Sequence, residues 1–468
     1  MHGFCIFIQI TLHMVQYISQ RQLKIEKFGM VNQIGLNPEN RWIILGNTLP
    51  WDQLVKIYIK SFSNKGRASV NPRIVIGSLI IKHKLSLSDE QTVQIIEENP
   101  YMQYFLGLDE FAPVPLFSPS LFVEWRKQLG NEDFNKFSDV LIKICCEDKI
   151  ATPTSKQVNL PNKGKLKLDA TVADQYITYP NDLGLLNKAR EISERLIDGL
   201  YELVRQNYEV KPRTYRKVAR KKYLAESKKR QANPKTLRSA IRYHLNCLDR
   251  NIASINQMLD LLETIPFSRK QLKNFYVIQT LNSQQRQMYN ENSNRCDDRI
   301  VSISQPHVRP IVRGKAGKKV EFGSKLGVAH IDGFVKAQTL SWNPYNESAD
   351  LIPHAKAYKE LLGYYPELIQ VDAIYGTNKN RKWAKQNGIR LTVKAKGKPA
   401  KQSRYQKRKT KKEFNERNQI EGKFGQAKQG YGLNQVKAKL NNTSASWIGI
   451  SLFIVNLVKF AESNGFHF

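Results

Sequence analysis

Cysteine, long apolar runs and acidic charge are all scarce in this chain, and each shortage removes a class of protein. Five cysteines (Cys5, Cys145, Cys146, Cys247, Cys296) form no CxxC and no Cys/His ligand spacing. They read as reduced, cytosolic and non-catalytic thiols. The apolar run Trp447–Val458 is too short to span a bilayer and contains Asn456, so it reads as a buried helix. Residues 1–18 are apolar but lack a cationic leading region and are interrupted by Gln9, Thr11, His13 and Gln16. That pattern fits a strand, or an extended start upstream of the true one, better than a signal peptide. Only 41 acidic residues face 74 Lys and Arg, a formal net charge of +33. Such an excess points to a polyanionic partner, nucleic acid first.

The charge is concentrated. Lys211–Arg242 carries 13 basic residues and one acidic, and Lys394–Lys428 carries 13 basic and three acidic. Together these two segments hold 22 of the 33 excess charges, and each is able to track a phosphate backbone. At 468 residues the chain is long enough for two or three domains.

Residues 38–150 read as helical. Pro72 stands at a first-turn position before RIVIGSLIIKH, Ser88 and Gln91 form a capping box, and Asn99-Pro100 stops the helix that follows. A further helix begins after Ser118–Ser120 and ends at Gly130, a plausible C′ residue. The first pair is either a packing unit or a helix-turn-helix that reads DNA. Gly164–Gln175 then alternates like a strand and delivers Asp169 and Asp174, after which residues 183 to about 300 return to helical periodicity as a basic insertion. From Val320 strands resume as a hairpin turning at Asp332-Gly333. A helix over Ser348–Leu362, a strand ending near Asp372, a short helix closed by Gly388, a strand at IRLTVKA and the C-terminal helices complete a mixed α/β pattern.

Asp169 lies within the first strand, and Asp372 at the end of the central one, where chemistry gathers in α/β sheets. Glu421 is a lone carboxylate in the basic stretch RNQIEGKFGQAKQGYG. Three carboxylates suit a hard divalent ion that completes its shell with water and substrate phosphate oxygens. At 100° per residue, Phe414, Arg417, Glu421 and Lys428 fall within roughly 60° of one helical face, an arrangement that lets Arg417 and Lys428 touch phosphate beside the metal. An ordinary Arg417–Glu421 surface pair is the other reading. Gly422 and Gly425 weaken such a helix and make most sense if it packs closely on the sheet.

The segments NPENRW (Asn37–Trp42), LSDEQTVQIIEENPYMQYFLGL (Leu87–Leu108), LDATVADQYITYPNDLGLLNKARE (Leu168–Glu191), VDAIYGTNKNR (Val371–Arg381) and RNQIEGKFGQAKQGYGL (Arg417–Leu433) follow one another in a familiar order. With them the chain resembles bacterial DDE-type insertion-sequence transposases with an N-terminal helical domain. The resemblance implies an RNase H-like catalytic core, with a helical N-terminal domain over 1–150 for binding DNA ends. The core would occupy 160–182 and 320–462, split by a helical basic insertion over 183–319. It implies Asp169, Asp372 and Glu421 as catalytic, metal-binding residues, with two Mg²⁺ ions for which Mn²⁺ is able to substitute. Arg417 and Lys428 match a Tyr-Arg-Glu-Lys signature in which Phe414 replaces the Tyr, and Lys423 and Arg381 join them as expected DNA contacts.

The implied partners are double-stranded DNA, as terminal inverted repeats and target, and a second copy in a synaptic homodimer, with no membrane. The implied location is the cytoplasm, at the nucleoid. The insertion, placed differently from that of better-known relatives, is assigned either DNA contact or dimer formation. Two alternatives stand: a nuclease that cuts without joining, and a non-catalytic or domesticated DNA-binding protein, against which the presence of all three acids argues. Among lesser candidates, His330 and Asp332 read as a structural histidine and a turn residue. Asp174 and Asp182 read as supports for Asp169 or turn residues, and Trp342 as a core or rim residue before a base-stacking one.

Overall fold

The computed structural model describes residues 35–61, 70–146, 161–231, 233–312, 320–394 and 403–468. The apolar start read as a strand or extended leader lies outside them. The chain divides into two units, one of Met1–Asp174, Lys325–Ser341 and Tyr345–Phe468, the other of Gln175–Ser324 and Trp342–Pro344.

Among the described residues the first unit opens with the helices α1 (Arg41–Thr48), α2 (Trp51–Lys60), α3 (Pro72–Lys84), α4 (Asp89–Glu98), α5 (Pro100–Phe105), α6 (Leu121–Gln128) and α7 (Asn131–Cys145). Local chemistry sets their ends. Pro72 is the first residue of α3, and the Asn71 side chain accepts from the Arg73 N–H. Ser88 and Gln91 cap α4 reciprocally. Asn99 ends α4 and caps α5, whose first residue is Pro100. Gly130 departs from expectation. Its φ of −91° is not the left-handed conformation of a C′ glycine; it is the N-cap of α7, and its N–H donates to Asp133.

Helix α3 is buried almost all round, from Pro72 to His83. Helix α4 carries Asp89, Glu90, Glu97 and Glu98 and no cation. Asp89 receives both guanidinium Nη atoms of Arg126 at 2.9 and 2.7 Å and the ammonium of Lys82 at 2.9 Å. A core helix followed by an acidic one suits packing, and repulsion from phosphate disfavours α4 as a groove-entering helix. Burial pushes the Asp89 carboxyl up, but its bonds to Arg126 and Lys82 hold it below the ordinary value.

Next come β1 (Lys165–Asp174), then α8 (Asp182–Val204), α9 (Arg216–Ser227), α10 (Pro234–Leu259), α11 (Arg269–Asn290) and β2 (Arg309–Val312). Helices α8, α10 and α11 bury a core around Leu186, Leu245, Leu248, Ile278 and Leu281. Strand β2 is unanticipated; at four residues it is too short to display alternation. The hairpin follows as β3 (Val320–Ile331) and β4 (Phe334–Ser341). Ile331 pairs with Phe334, so Asp332 and Gly333 form a two-residue turn with φ of 47° and 96°. Positive φ at both positions is what a type I′ turn requires.

The first unit closes with α12 (Leu351–Leu362), β5 (Leu368–Gln370), α13 (Asn378–Gln386), β6 (Arg390–Leu391), α14 (Arg404–Glu416), α15 (Asn418–Gly430) and α16 (Asn441–Ser463). The sheet order is β2-β3-β1-β5-β6, with β4 on β3; β5 is parallel to β1 and β6, and β3 is antiparallel to β2 and β4.

Helix α16 is long and apolar enough to cross a membrane, yet it is buried within the unit from Ile448 to Val458. Its polar interruption has a defined use. Asn456 is fully buried; its Oδ1 accepts from the Val335 N–H at 2.7 Å, and its Nδ2 donates to the Val335 carbonyl at 2.7 Å and to Ser138 Oγ at 2.8 Å. One side chain thus satisfies both backbone groups of a β4 residue and reaches α7.

Asn456→Leu orphans that buried N–H and C=O and is expected to cost about 2–4 kcal/mol, measured by urea unfolding. Asp89 makes stability pH-dependent: a depressed folded-state pKa contributes stability above the unfolded value that is lost as pH falls through the folded value. Asp89→Asn is expected to lower Tm at neutral pH, with the gap from wild type closing below about pH 4.

Candidate active site

The site starts from the pairing of β1 with β5. Lys165 pairs with Leu368, Leu166 with Ile369 and Lys167 with Gln370. The same offset separates Asp169 from Asp372, while the ladder itself ends at Lys167–Gln370 and Asp372 lies two residues past the end of β5. Their local geometry matches: Asp169 Oδ1 accepts from the Ala170 N–H at 2.8 Å and Asp372 Oδ1 from the Ala373 N–H at 3.0 Å. Asp372 is exposed and caps a short 3-10 turn, Ala373–Tyr375. Helix α14 is anchored on this part of the sheet. Gln370 Nε2 donates to the Glu413 carbonyl at 2.6 Å, Lys165 pairs with Glu416 at 2.7 Å, and Arg390 grips Glu413 with two bonds of 2.6 and 2.7 Å.

Glu421 enters from α15. The single helix expected through Phe414, Arg417, Glu421 and Lys428 is two helices meeting at Arg417. The backbone tightens there to three-residue spacing, with the Arg417 N–H on the Phe414 carbonyl (3.2 Å) and the Ile420 N–H on the Arg417 carbonyl (3.1 Å). From this joint the Arg417 guanidinium bridges the acids, 2.9 Å from Asp169 Oδ2 and 3.4 Å from Glu421 Oε1. Its side chain is only 11% exposed against 57% for Glu421, so it is a built part of the site. The half-exposed Phe414 ring lies beside it, 5.9 Å from the guanidinium carbon.

Asp169 is desolvated and sits among charges of both signs. Burial raises the Asp169 carboxyl above its ordinary value; the Ala170 N–H and Arg417 oppose the shift, and the charges of Glu347 and Glu421 add to it. Glu347 is a carboxylate that sequence reading missed. It opens the 3-10 turn Glu347–Asp350 and pairs with Lys325 at 3.3 Å. In sequence it has only the signature of an acidic first-turn residue before α12. The same turn supplies Asp350, which accepts from Tyr345 Oη at 2.6 Å and Thr339 Oγ1 at 2.8 Å. A Cβ at Gly327 would meet Asp350 Oδ2 at 2.1 Å, so this close approach needs glycine. Tyr375 is buried, and burial followed by the charges of Glu347 and Asp169 keeps its hydroxyl protonated.

The other candidates are placed unequally. Lys428 lies two turns beyond Glu421 on the same side of α15. Lys423 falls on another side, where its ammonium is half-buried, reaches Gln426 and senses Glu462 of α16. Arg381 donates to the backbone carbonyls of Gly376 and Lys394, which ties down the loop after Asp372. His330 is buried with its pKa lowered to about 3, chiefly by desolvation, and Asp332 is the turn residue described above. Trp342 packs edge-on against His307. Asp182 bonds Arg299 and Gln285 within the second unit. Gly422 and Gly425 do not serve close packing on the sheet: a Cβ at either meets nothing within 4 Å. The packed face of α15 is Ile420, Phe424 and Ala427, and the glycines lie on its open side with Glu421.

Among the described residues no group of three or more His, Cys, Asp or Glu side chains is gathered closely enough to hold a metal ion. The donor chemistry nevertheless fits one: hard carboxylate oxygens on Asp169, Asp372 and Glu421, with a cationic side chain already bridging two of the acids.

Comparison with known proteins gives two family matches. Residues 369–458 match the Transposase DDE domain, and residues 32–128 match the Transposase domain (DUF772). The first range contains Asp372 and Glu421; Asp169 lies outside both. The chain is also 28% identical over 160 residues to an uncharacterised protein, ORF8 in the nfe locus, of Rhizobium meliloti, covering 34% of this chain and 74% of that one. No solved structure gives a significant match. One transposase-domain match lies over the N-terminal helices and another runs from β5 into α16, and together they support an insertion-sequence DDE transposase.

Proposed function

We propose that this transposase binds the ends of its element as double-stranded DNA, cleaves a strand there and joins the freed 3′ end to target DNA. Asp169, Asp372 and Glu421 are its metal-binding carboxylates in an RNase H-like core. The observation that carries the reading is the Arg417 bridge from Asp169 to Glu421, and the β1–β5 register, whose offset Asp169 and Asp372 share, supports it. The mixed sheet, with an antiparallel hairpin on one side of β1 and parallel strands on the other, supports the core assignment.

Two Mg²⁺ ions bound there would activate a water or a 3′-hydroxyl and neutralise charge on the leaving oxygen. The chain's own residues do the rest. Asp169 is held by its place in β1 and, like Asp372, by the N–H that follows it, so both carboxylates are oriented before any ligand arrives. Arg417 keeps the like charges of Asp169 and Glu421 compatible without metal, and its remaining donors face a phosphate oxygen when the substrate docks. An open groove of about 700 Å³ at the α14–α15 joint, lined by Arg408, Lys411, Lys412 and Asn415 among others, offers the scissile strand a cationic floor. The exposed side of α15 presents Glu421, Gly425 and Lys428 together. Glycine there leaves room for a sugar-phosphate backbone to lie against the helix. Lys423 and Arg381 brace the structure in this reading and are not phosphate ligands.

Asp169→Ala, Asp372→Ala and Glu421→Ala are each expected to abolish end cleavage and joining in Mg²⁺ while leaving duplex binding within about threefold, given that phosphate contacts dominate affinity. Cleavage retained by any one variant removes that residue from the set, and cleavage without joining by wild type assigns a nuclease. Gly425→Leu is expected to leave Tm unchanged or raised, because leucine is the better helix former by roughly 1 kcal/mol, while lowering cleavage about tenfold or more by obstructing the strand. Normal cleavage by that variant would move the DNA path off α15.

A further inference from the structure

We infer that the second unit carries its own sequence-independent duplex-binding surface, a cationic stripe on α9 that continues onto the start of α10. The inference extends the proposed function to a second place on the chain and rests on DNA being the substrate.

The cations of α9 and α10 fall into two groups. Some hold the fold: Arg216 grips Asp198 with two bonds of 3.1 and 2.8 Å, and Lys222 lies 3.8 Å from the Tyr243 ring centroid. Lys229 pairs with Glu226, and Arg238 donates to the Tyr289 carbonyl. The others do not. Lys217, Arg220, Lys221 and Lys228, with Lys235 and Arg242 of α10, are all exposed, and none makes an ion pair among the described residues.

Position on the helix decides what the second group is for. At 100° per residue, Lys217, Arg220 and Lys221 of α9 and its C-cap Lys228, which keeps the helical conformation, fall within about 100° of arc, opposite the buried Ala219, and span roughly 16 Å along the axis. Lys235 and Arg242 share a face of α10 with Arg238. Like charges three, four and seven residues apart destabilise a helix, and Glu226, the one acidic residue between Lys211 and Arg242, is already taken by Lys229. A surface meant only for solvation interleaves both signs. One that repels itself in the free protein suits a ligand bearing regularly spaced negative charge, and 16 Å of helix matches about five base-pair steps of 3.4 Å on one strand. The four α9 cations are simple backbone contacts on this geometry, so the surface anchors DNA without reading sequence.

The test uses the full chain, comparing wild type with the quadruple variant Lys217→Gln, Arg220→Gln, Lys221→Gln, Lys228→Gln. A charge-keeping variant, Lys217→Arg, Arg220→Lys, Lys221→Arg, Lys228→Arg, controls for side-chain identity. Binding to a short duplex of arbitrary sequence is titrated against salt, alongside thermal melting and sedimentation. The glutamine variant is expected to melt as wild type does, to bind about tenfold or more weakly, and to show a salt slope shallower by roughly three to four; the charge-keeping variant should match wild type. An unchanged slope in the glutamine variant overturns the inference. If that variant instead loses self-association at an unchanged slope, the stripe belongs to an interface between copies. Wild type that binds no duplex at all sinks the proposed function itself, an outcome distinct from a slope that the variant leaves unmoved.

Discussion

The candidate site depends on one backbone constraint, the parallel pairing of β1 with β5. Two strands separated by the whole of the second unit meet in a single register, and a one-residue slip would turn every β5 side chain to the other face. Helix α14 adds to that pairing through Gln370, Lys165 and Arg390, each of which links the sheet to Glu413 or Glu416. Those contacts seat α14, and at its junction with α15 the Arg417 guanidinium links Asp169 to Glu421.

Burial of charge is managed differently in the two parts of the first unit. Among the N-terminal helices, Asp89 is answered by both Arg126 and Lys82, a balanced cluster that joins α3, α4 and α6. At the site, burial is the largest influence on Asp169 and, with the charges of Glu347 and Glu421, outweighs Arg417 and the Ala170 N–H, so its carboxyl stays raised. The first arrangement stabilises a fold. The second leaves a carboxyl whose charged form a cation would favour, as the proposed metal ions would.

Much of the architecture was legible in the chain because its signals are local. The capping box at Ser88, Pro72 at the head of α3, the Asp332-Gly333 turn and the long periodic helices of the second unit each follow from chemistry within a few residues. The errors share a cause as well. Gly130 was read from the helix it follows, when the helix it precedes sets its φ. Gly422 and Gly425 were read as packing glycines because a helix that tolerates two of them invites a contact, and none is there. Phe414–Lys428 was drawn as one helix because periodicity carries no mark of a joint at Arg417.

The sequence by itself determined that the chain is a basic α/β protein with helices before and within its sheet, and that Asp169, Asp372 and Glu421 are its notable carboxylates. Hydrophobic period, turn chemistry and charge are properties of neighbouring residues, so they survive in a linear reading. Tertiary structure alone decided that Arg417 bridges two of the acids, that the charge of Glu347 is felt at Asp169, and that Lys423 reaches Gln426 and Arg381 the Gly376 and Lys394 carbonyls. Electrostatic interaction falls with distance through space, not along the chain, and those distances exist only once the strands have paired.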